Sequence, residues 1–264
     1  MQTILLLKSA FLCVFRFFGL SSFDIVTTLI LSRLAPFLPF FEVIPEIFCI
    51  FVAMIKTFYF NELRTCCYIL WDETNEAVII DPGCISESEK GRLVKFIDEN
   101  NLSLKMLLNT HGHFDHVMGN VFITQTYNIP TYMNKDDIAQ VKRASSYGSY
   151  FGIEIPQPSL EVEDLKDGDI IKFGNSELKV STTPGHSQGG VIFYWDKEKA
   201  VFTGDCLFAG SIGRTDLPGG DLDLLKDSLK NKILSLPAET EVYPGHGPKT
   251  SIAYEIGSNP FLDF

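Results

Sequence analysis

The chain has 264 residues, 45% hydrophobic and 21% charged, with a formal net charge of −11. That length accommodates one sizeable domain, or a domain with an appendage. The acidic balance lacks the basic footprint that phosphate binding demands, so nucleic acid is excluded as the main partner. Cysteines at 13, 49, 66, 67, 84 and 206 form no C-x-x-C pair. A chain of this size needs no disulfide staples, and reduced, mostly buried thiols in a cytoplasmic protein are expected.

The slightly positive mean hydropathy is concentrated in residues 1–53, which are dense in Phe, Leu and Ile with Gly19 as the one glycine. A spanning helix needs about 20 mostly apolar residues. Lys8, Arg16, Asp24, Arg33, Glu42 and Glu46 interrupt every candidate run, and Pro36, Pro39 and Pro45 interrupt helices. A secretion signal would start with basic residues and end at a small-x-small site; neither is present, and Lys8 sits inside the apolar run. Met54 opens a stretch, MIKTFYF, that reads as the first strand of a self-sufficient domain. Residues 1–53 are therefore expected to be a hydrophobic extension arising from an upstream start assignment. The alternatives are a membrane-associating segment, which would be the sole basis for membrane association, and a signal. Residues 54–264 form the predicted domain.

Within that domain, residues 57–60, 66–71 and 77–81 are strand candidates, followed by a helix over 87–99. A short apolar strand over 104–109 runs into His111, and helices are predicted near 117–127 and 135–147. Segments 169–173, 178–182, 191–195 and 200–203 read as strands, with turns at Asp167-Gly168 and Gly174-Asn175. A helix near 221–234 and a strand over 241–243 follow. Two strand-rich stretches, each accompanied by helices, predict two sheets packed face to face with helices outside. No solenoid or propeller repeat is present.

Three of the five histidines fall in Thr110-His111-Gly112-His113-Phe114-Asp115-His116, at the mouth of an apolar strand. Imidazoles and a carboxylate this close repel on protonation unless a cation organises them. In an extended segment, residues i and i+2 point the same way, so His111 and His113 can share one metal. Asp115 and His116 can face a second ion after the chain turns. His186, in TPGHSQGG, and His246, in PGHGP, follow strands, and Asp205 ends the apolar strand AVFTG. Every histidine thus occupies a strand-end loop, where sites on rigid scaffolds are built. Imidazole and carboxylate donors suit Zn²⁺, Fe or Mn, and a site without thiolate is not a structural zinc knot. Cys206 follows Asp205 directly and should leave the strand on the other face.

H-x-H-x-D-H, then T-P-G-H, T-G-D and P-G-H-G, in that order, resembles the metallo-β-lactamase superfamily from Met54 to Phe264. The resemblance implies an αββα sandwich of mixed α/β class and a catalytic domain binding two divalent metal ions, Zn²⁺ first and Fe or Mn as alternatives. It implies that His111, His113 and His186 hold the first ion, that Asp115, His116 and His246 hold the second, and that Asp205 bridges them. Asp115 and Asp205 are the carboxylates expected at the chemistry. Asp81, in Ile80-Asp81-Pro82-Gly83, matches an early strand-end Asp that supports the ligands.

The run 207–221 and the ending 245–262 are similar to short-form glyoxalase II-like enzymes, which lack the C-terminal helical region of the full-length form. The implied reaction is attack of a metal-bound hydroxide on a small-molecule thioester, S-lactoylglutathione or another hydroxyacyl thioester. Arg214, Lys249, Tyr147 and Tyr150 are the polar candidates for touching substrate, with an internal pair to Asp216 or Asp221 the alternative for Arg214. No Gly-x-Ser-x-Gly elbow is present, and no histidine is left to serve as base for a serine or cysteine nucleophile. The competing enzyme class is a persulfide dioxygenase of the same fold, with one iron on His111, His186 and Asp205. Lactonase and β-lactamase activities use the same ligands. A non-catalytic membrane-associated binding protein is favoured only by residues 1–53.

Overall fold

The strand-rich sequence after Met54 folds into two six-stranded sheets. The computed structural model describes residues 54–150 and 152–263, so the expectations placed on residues 1–53 lie outside the described residues. β1 (Met54–Phe60), β2 (Thr65–Trp71) and β3 (Glu76–Ile80) form an antiparallel meander. Helix α1 (Glu87–Glu99) then returns the chain as β4 (Ser103–Leu108), parallel to β3. α1 starts where the sequence provides a capping box. The Ser86 hydroxyl accepts from the Glu89 amide, and Glu89 accepts from the Ser86 amide. The same Glu89 carboxylate accepts from Asn61 N at 2.6 Å, pinning the β1–β2 turn to the helix start.

α2 (Phe114–Val117) and α3 (Asn120–Tyr127) lead to β5 (Thr131–Met133). A 3₁₀ turn (Lys135–Asp137), α4 (Ile138–Val141) and α5 (Ala144–Tyr150) lead to β6 (Glu163–Asp164). In the second sheet, β7 (Ile170–Phe173), β8 (Ser176–Thr182), β9 (Val191–Trp195) and β10 (Ala200–Gly204) form a meander. The hairpin β11 (Leu207–Phe208) and β12 (Ser211–Ile212) and helix α6 (Leu222–Ser228) precede β13 (Glu241–Pro244), which runs parallel to β10. β14 (Thr250–Ser251) and α7 (Ile252–Ser258) complete the described chain.

Period-2 alternation assigns the side chains to layers. Tyr68 and Leu70 of β2 meet Phe193 and Trp195 of β9 in the inter-sheet core, with Ile80, Leu108 and Phe202. Cys67 and Ile69 point outward, onto Leu93 and Ile97 of α1 and Ile123 of α3. Ile192 and Tyr194 point outward from the other sheet, onto Leu225 of α6 and Ile252 of α7. β2 and β9 read as continuous apolar runs because both of their faces are covered. The layers are therefore helix, sheet, sheet, helix, the expected sandwich.

The helix predicted over 117–127 is two pieces. The Gly119 amide donates to Pro82 O at 2.7 Å, which ends α2 and restarts the chain as α3. The helix predicted over 135–147 begins as a 3₁₀ turn and divides into α4 and α5, and the one over 221–234 continues past α6 as a π turn (Leu229–Ile233). β5, β6, the β11–β12 hairpin and α7 were not expected, because elements this short carry little local pattern. No helix among the described residues is long and apolar enough to cross a membrane. Cys66, Cys67, Cys84 and Cys206 are buried and free of disulfides, as expected for reduced thiols; Cys13 and Cys49 lie outside the described residues.

The C-terminal ends of β3, β4, β8, β10 and β13 open on one edge of the sandwich. There Val191 N donates to Thr110 O at 2.8 Å, Cys66 N to Gly245 O at 2.7 Å, and the Tyr68 hydroxyl to Pro244 O at 2.6 Å. These bonds join the sheets beside the histidine loops. Phe193 is fully buried between the sheets, so Phe193→Ala is expected to cost about 3–5 kcal/mol of unfolding free energy. Urea denaturation in chelator, which removes any contribution from bound metal, measures that loss; less than about 1 kcal/mol would take Phe193 out of the load between the sheets.

Candidate metal centre

The loop after β4 carries His111 and His113, and the first turn of α2 carries Asp115 and His116. His186 follows β8, Asp205 follows β10 directly, and His246 follows β13. All of these side chains converge. His113 Nδ1 lies 2.9 Å from His186 Nε2, and His116 Nε2 lies 3.2 Å from His246 Nε2. Asp115 Oδ2 is 3.2 Å from His246 Nε2 and 3.5 Å from His116 Nε2. Asp205 reaches both halves: Oδ2 is 3.5 Å from His186 Nε2, and Oδ1 is 3.4 Å from His116 Nε2. His111, Asp115, His116 and His186 are buried, and His246 stands at the mouth.

The outer bonds of the imidazoles fix which nitrogen holds the proton. His186 Nδ1 is 2.8 Å from Arg214 O, and His246 Nδ1 is 3.0 Å from Leu63 O. Carbonyls only accept, so each Nδ1 donates and each Nε2 of the neutral ring keeps its lone pair. His116 Nδ1 likewise meets the Asp81 carboxylate at 3.0 Å. The lone pairs of His116 and His246 consequently face each other. His111 Nε2 and Asp205 Oδ1 are buried with no hydrogen-bond partner at all. Facing lone pairs, orphaned buried acceptors and ionised carboxylates form a pocket that lacks only positive charge.

Spacing agrees with that demand. Donors about 2.0–2.2 Å from one ion in tetrahedral array stand about 3.3–3.6 Å apart, close to the separations above. Two trios, His111 with His113 and His186, and Asp115 with His116 and His246, each offer donor atoms within 4.8 Å of one another. A third trio joins Asp81 to His111 and His116, but Asp81 is already engaged. It accepts from Thr110 N at 2.8 Å, from the Thr110 hydroxyl at 2.5 Å, and holds the outer nitrogen of His116. Its left-handed backbone, φ 48°, turns the strand end toward those partners. Asp81 thus stands behind the donors rather than among them.

Electrostatics point the same way. Burial disfavours a charged His116, yet Asp115, Asp205 and Asp81 outweigh it and raise its pKa well above the histidine range. Burial opposes protonation of His246, while Asp115 and Asp205 support it, and its pKa is also raised. Burial and neighbouring imidazoles push His111 well down, and His113 to about 4. Asp115 stays ionised despite burial because His116 and His246 face it. The carboxylates thus favour positive charge beside His116 and His246, on the side where a cation would sit.

The predicted substrate contacts are placed less uniformly. Arg214 makes a bidentate pair with Asp216, both bonds 2.7 Å, so its carbonyl and not its guanidinium serves the histidine cluster. Lys249 is bonded to Glu241 at 2.7 Å. Tyr147 stacks on Phe114, within the histidine motif, at 6.2 Å between centroids; Tyr150 is exposed. Cys206 bonds to Thr183 instead of joining the cluster. Sequence reading missed Thr65, whose hydroxyl donates to Asp115 Oδ2 at 2.9 Å, and the carbonyls of Leu63 and Arg214. A lone threonine has no flanking motif, and every residue has a carbonyl, so no sequence signal marks either.

Residues 61–246 match the metallo-β-lactamase superfamily. The chain is 36% identical over 201 residues to the hydroxyacylglutathione hydrolase GloC of Haemophilus influenzae, covering 75% of this chain and 92% of that protein. Among solved structures, BLEG-1, a B3 metallo-β-lactamase, superposes with a TM-score of 0.73 at 38% identity, covering 80% of this chain and 100% of that one. TTHA1623 in a di-iron-bound form gives a TM-score of 0.70 at 39% identity, covering 79% and 100%. With its strand-end histidines, its sandwich and this likeness over most of its length, the chain belongs to the metallo-β-lactamase superfamily, whose members are mostly hydrolases.

Proposed function

We propose that this chain is a metal-dependent hydrolase of thioesters, acting on S-lactoylglutathione or a related hydroxyacyl thioester. The observation that carries the reading is the pair of donor trios linked by Asp205, with lone pairs facing one another across the pocket. The likeness to GloC supports the thioester, and the di-iron form of TTHA1623 supports a pair of ions. In this reading His111, His113 and His186 hold the first ion, Asp115, His116 and His246 the second, and Asp205 both. Divalent cations held there would supply Lewis acidity, lowering the pKa of a bound water toward about 7 and polarising the scissile carbonyl. Zn²⁺ suits the imidazole and carboxylate donors, with Fe or Mn as alternatives.

The chain's own residues do the rest. Arg214 O, Leu63 O and Asp81 hold three imidazoles in one tautomer, so their lone pairs stay directed inward. Thr65 orients Asp115. Phe208, 6.2 Å from the His246 ring, and the stacked Phe114–Tyr147 pair place apolar surface beside the centre, suited to the non-reacting part of an acyl thioester. A substrate carboxylate can claim Arg214 or Lys249 only in competition with Asp216 or Glu241. β-Lactam hydrolysis is a second reading, favoured by the likeness to BLEG-1; it would use the same donors.

Elemental analysis of the full chain is expected to give two metal ions per chain, with S-lactoylglutathione hydrolysis that chelation abolishes. One iron per chain, with oxygen uptake on glutathione persulfide and no hydrolysis, would replace this reading with the dioxygenase. Asp81→Ala is expected to weaken metal binding by roughly 10–100-fold, as loss of a supporting hydrogen-bond partner does. His246→Ala should cost more than that roughly 10–100-fold in hydrolysis and drop metal content to one ion. Unchanged content and rate would remove His246 from the centre.

A further inference from the structure

Asp137 is a buried carboxylate that the reading above does not use. It ends the 3₁₀ turn after β5, and each of its oxygens is occupied. Oδ2 accepts from Gly112 N at 2.8 Å and from the Ser187 hydroxyl at 2.7 Å; Oδ1 accepts from Gly189 N at 2.7 Å. Gly112 lies between His111 and His113, and Ser187 follows His186. One carboxylate therefore ties together the two loops that carry the first trio.

The contact is tight on both sides. A Cβ on Gly112 would come within 2.7 Å of Asp137 O, and one on Gly189 within 2.6 Å of Asp137 N. Both loops carry glycine where they press on this residue, which explains Gly112 inside the histidine motif and one glycine of the pair after Gln188. Gln140, one turn later, donates its side-chain amide to Pro218 O and so adds the loop that contains Arg214. The turn itself is anchored to the first sheet side, where Asn134 Nδ2 donates to Leu165 O at 3.0 Å.

We propose that Asp137 is a positioning residue for the first ion, its carboxylate locking the His111–His113 loop to the His186 loop at the spacing one cation requires. This rests on the two-metal reading of those imidazoles. Backbone amides and a hydroxyl all point at the carboxylate, so it must accept on both oxygens. The isosteric Asp137→Asn turns one oxygen into an N–H donor, which then opposes an amide N–H of one loop or the other. The loops separate there while the sheets beneath are untouched. Ser187→Ala removes one of the bonds and leaves both amide bonds in place.

The test is competition between the full chain and a chromophoric chelator for Zn²⁺, with circular dichroism and the unfolding midpoint of each metal-free chain. The expected result is two Zn²⁺ sites in the unaltered chain. Asp137→Asn should bind at one of them roughly 10–100-fold more weakly, and Ser187→Ala more weakly by a smaller factor. Metal-free midpoints should stay close to that of the unaltered chain, and saturating Zn²⁺ should restore most of the hydrolysis rate. A merely structural residue would instead lower the midpoint and leave the affinity of the folded chain alone, and that result overturns the proposal. If Asp137→Asn does not fold, unchanged Zn²⁺ affinity in Ser187→Ala overturns it equally. Absence of Zn²⁺ binding by the unaltered chain would overturn the metal reading and the clamp together, whereas normal binding in both variants overturns the clamp alone.

Discussion

Uncompensated negative charge governs this structure. Asp81, Asp115 and Asp205 are packed among imidazoles on one edge of the sandwich, and among the described residues their ion pairs are with histidines. Burial makes each charge expensive to leave unbalanced. The same carboxylates raise the pKa of His116 and of His246, so positive charge is favoured beside both rings. A divalent ion would balance it with two charges and would accept the inward Nε2 lone pairs of the neutral rings. Fold, loop lengths and outer hydrogen bonds all serve to hold that arrangement against its own repulsion.

The scaffold holds it with backbone more than with side chains. Strand ends deliver the ligands to one edge, and the inter-sheet core of aromatic and branched residues keeps those ends in register. Arg214 and Leu63 contribute carbonyl oxygens, which cannot donate and so set the imidazole tautomer without ambiguity. Asp137 collects amides from two loops that have no ladder of their own. Loops without regular pairing would otherwise satisfy their amides with water, and water would loosen the spacing of the donors they carry.

The mouth of the site is charged but internally paired. Arg214 and Lys249 each hold a carboxylate of their own chain, and the chain as a whole carries −11. An anionic substrate would therefore meet these two cations already paired, and exposed pairs of this kind are weak enough to exchange partners. Apolar surface lies beside the histidines: the Phe208 ring is 6.2 Å from that of His246, and Phe114, within the histidine motif, stacks on Tyr147.

Much of this was legible in the sequence, for two physical reasons. Layered sheets require continuous or alternating apolar runs, so β2, β9 and β10 declare themselves. Histidines and aspartates at strand ends with i, i+2 spacing also declare a metal-binding chemistry, because little else tolerates them together. What the chain could not declare was anything decided by contact between distant segments. The break at Gly119 depends on Pro82 arriving from another loop, and the two-residue strand β6 exists only through β5. Thr65 meets Asp115 across 50 positions, and Asp137 meets Gly189 across 52. Sequence alone determined which histidines and aspartates would meet at the strand ends and on what kind of scaffold; the tertiary structure decided which way each imidazole faces and what ties the loops together, because hydrogen-bond partners that far apart in the chain are chosen by packing.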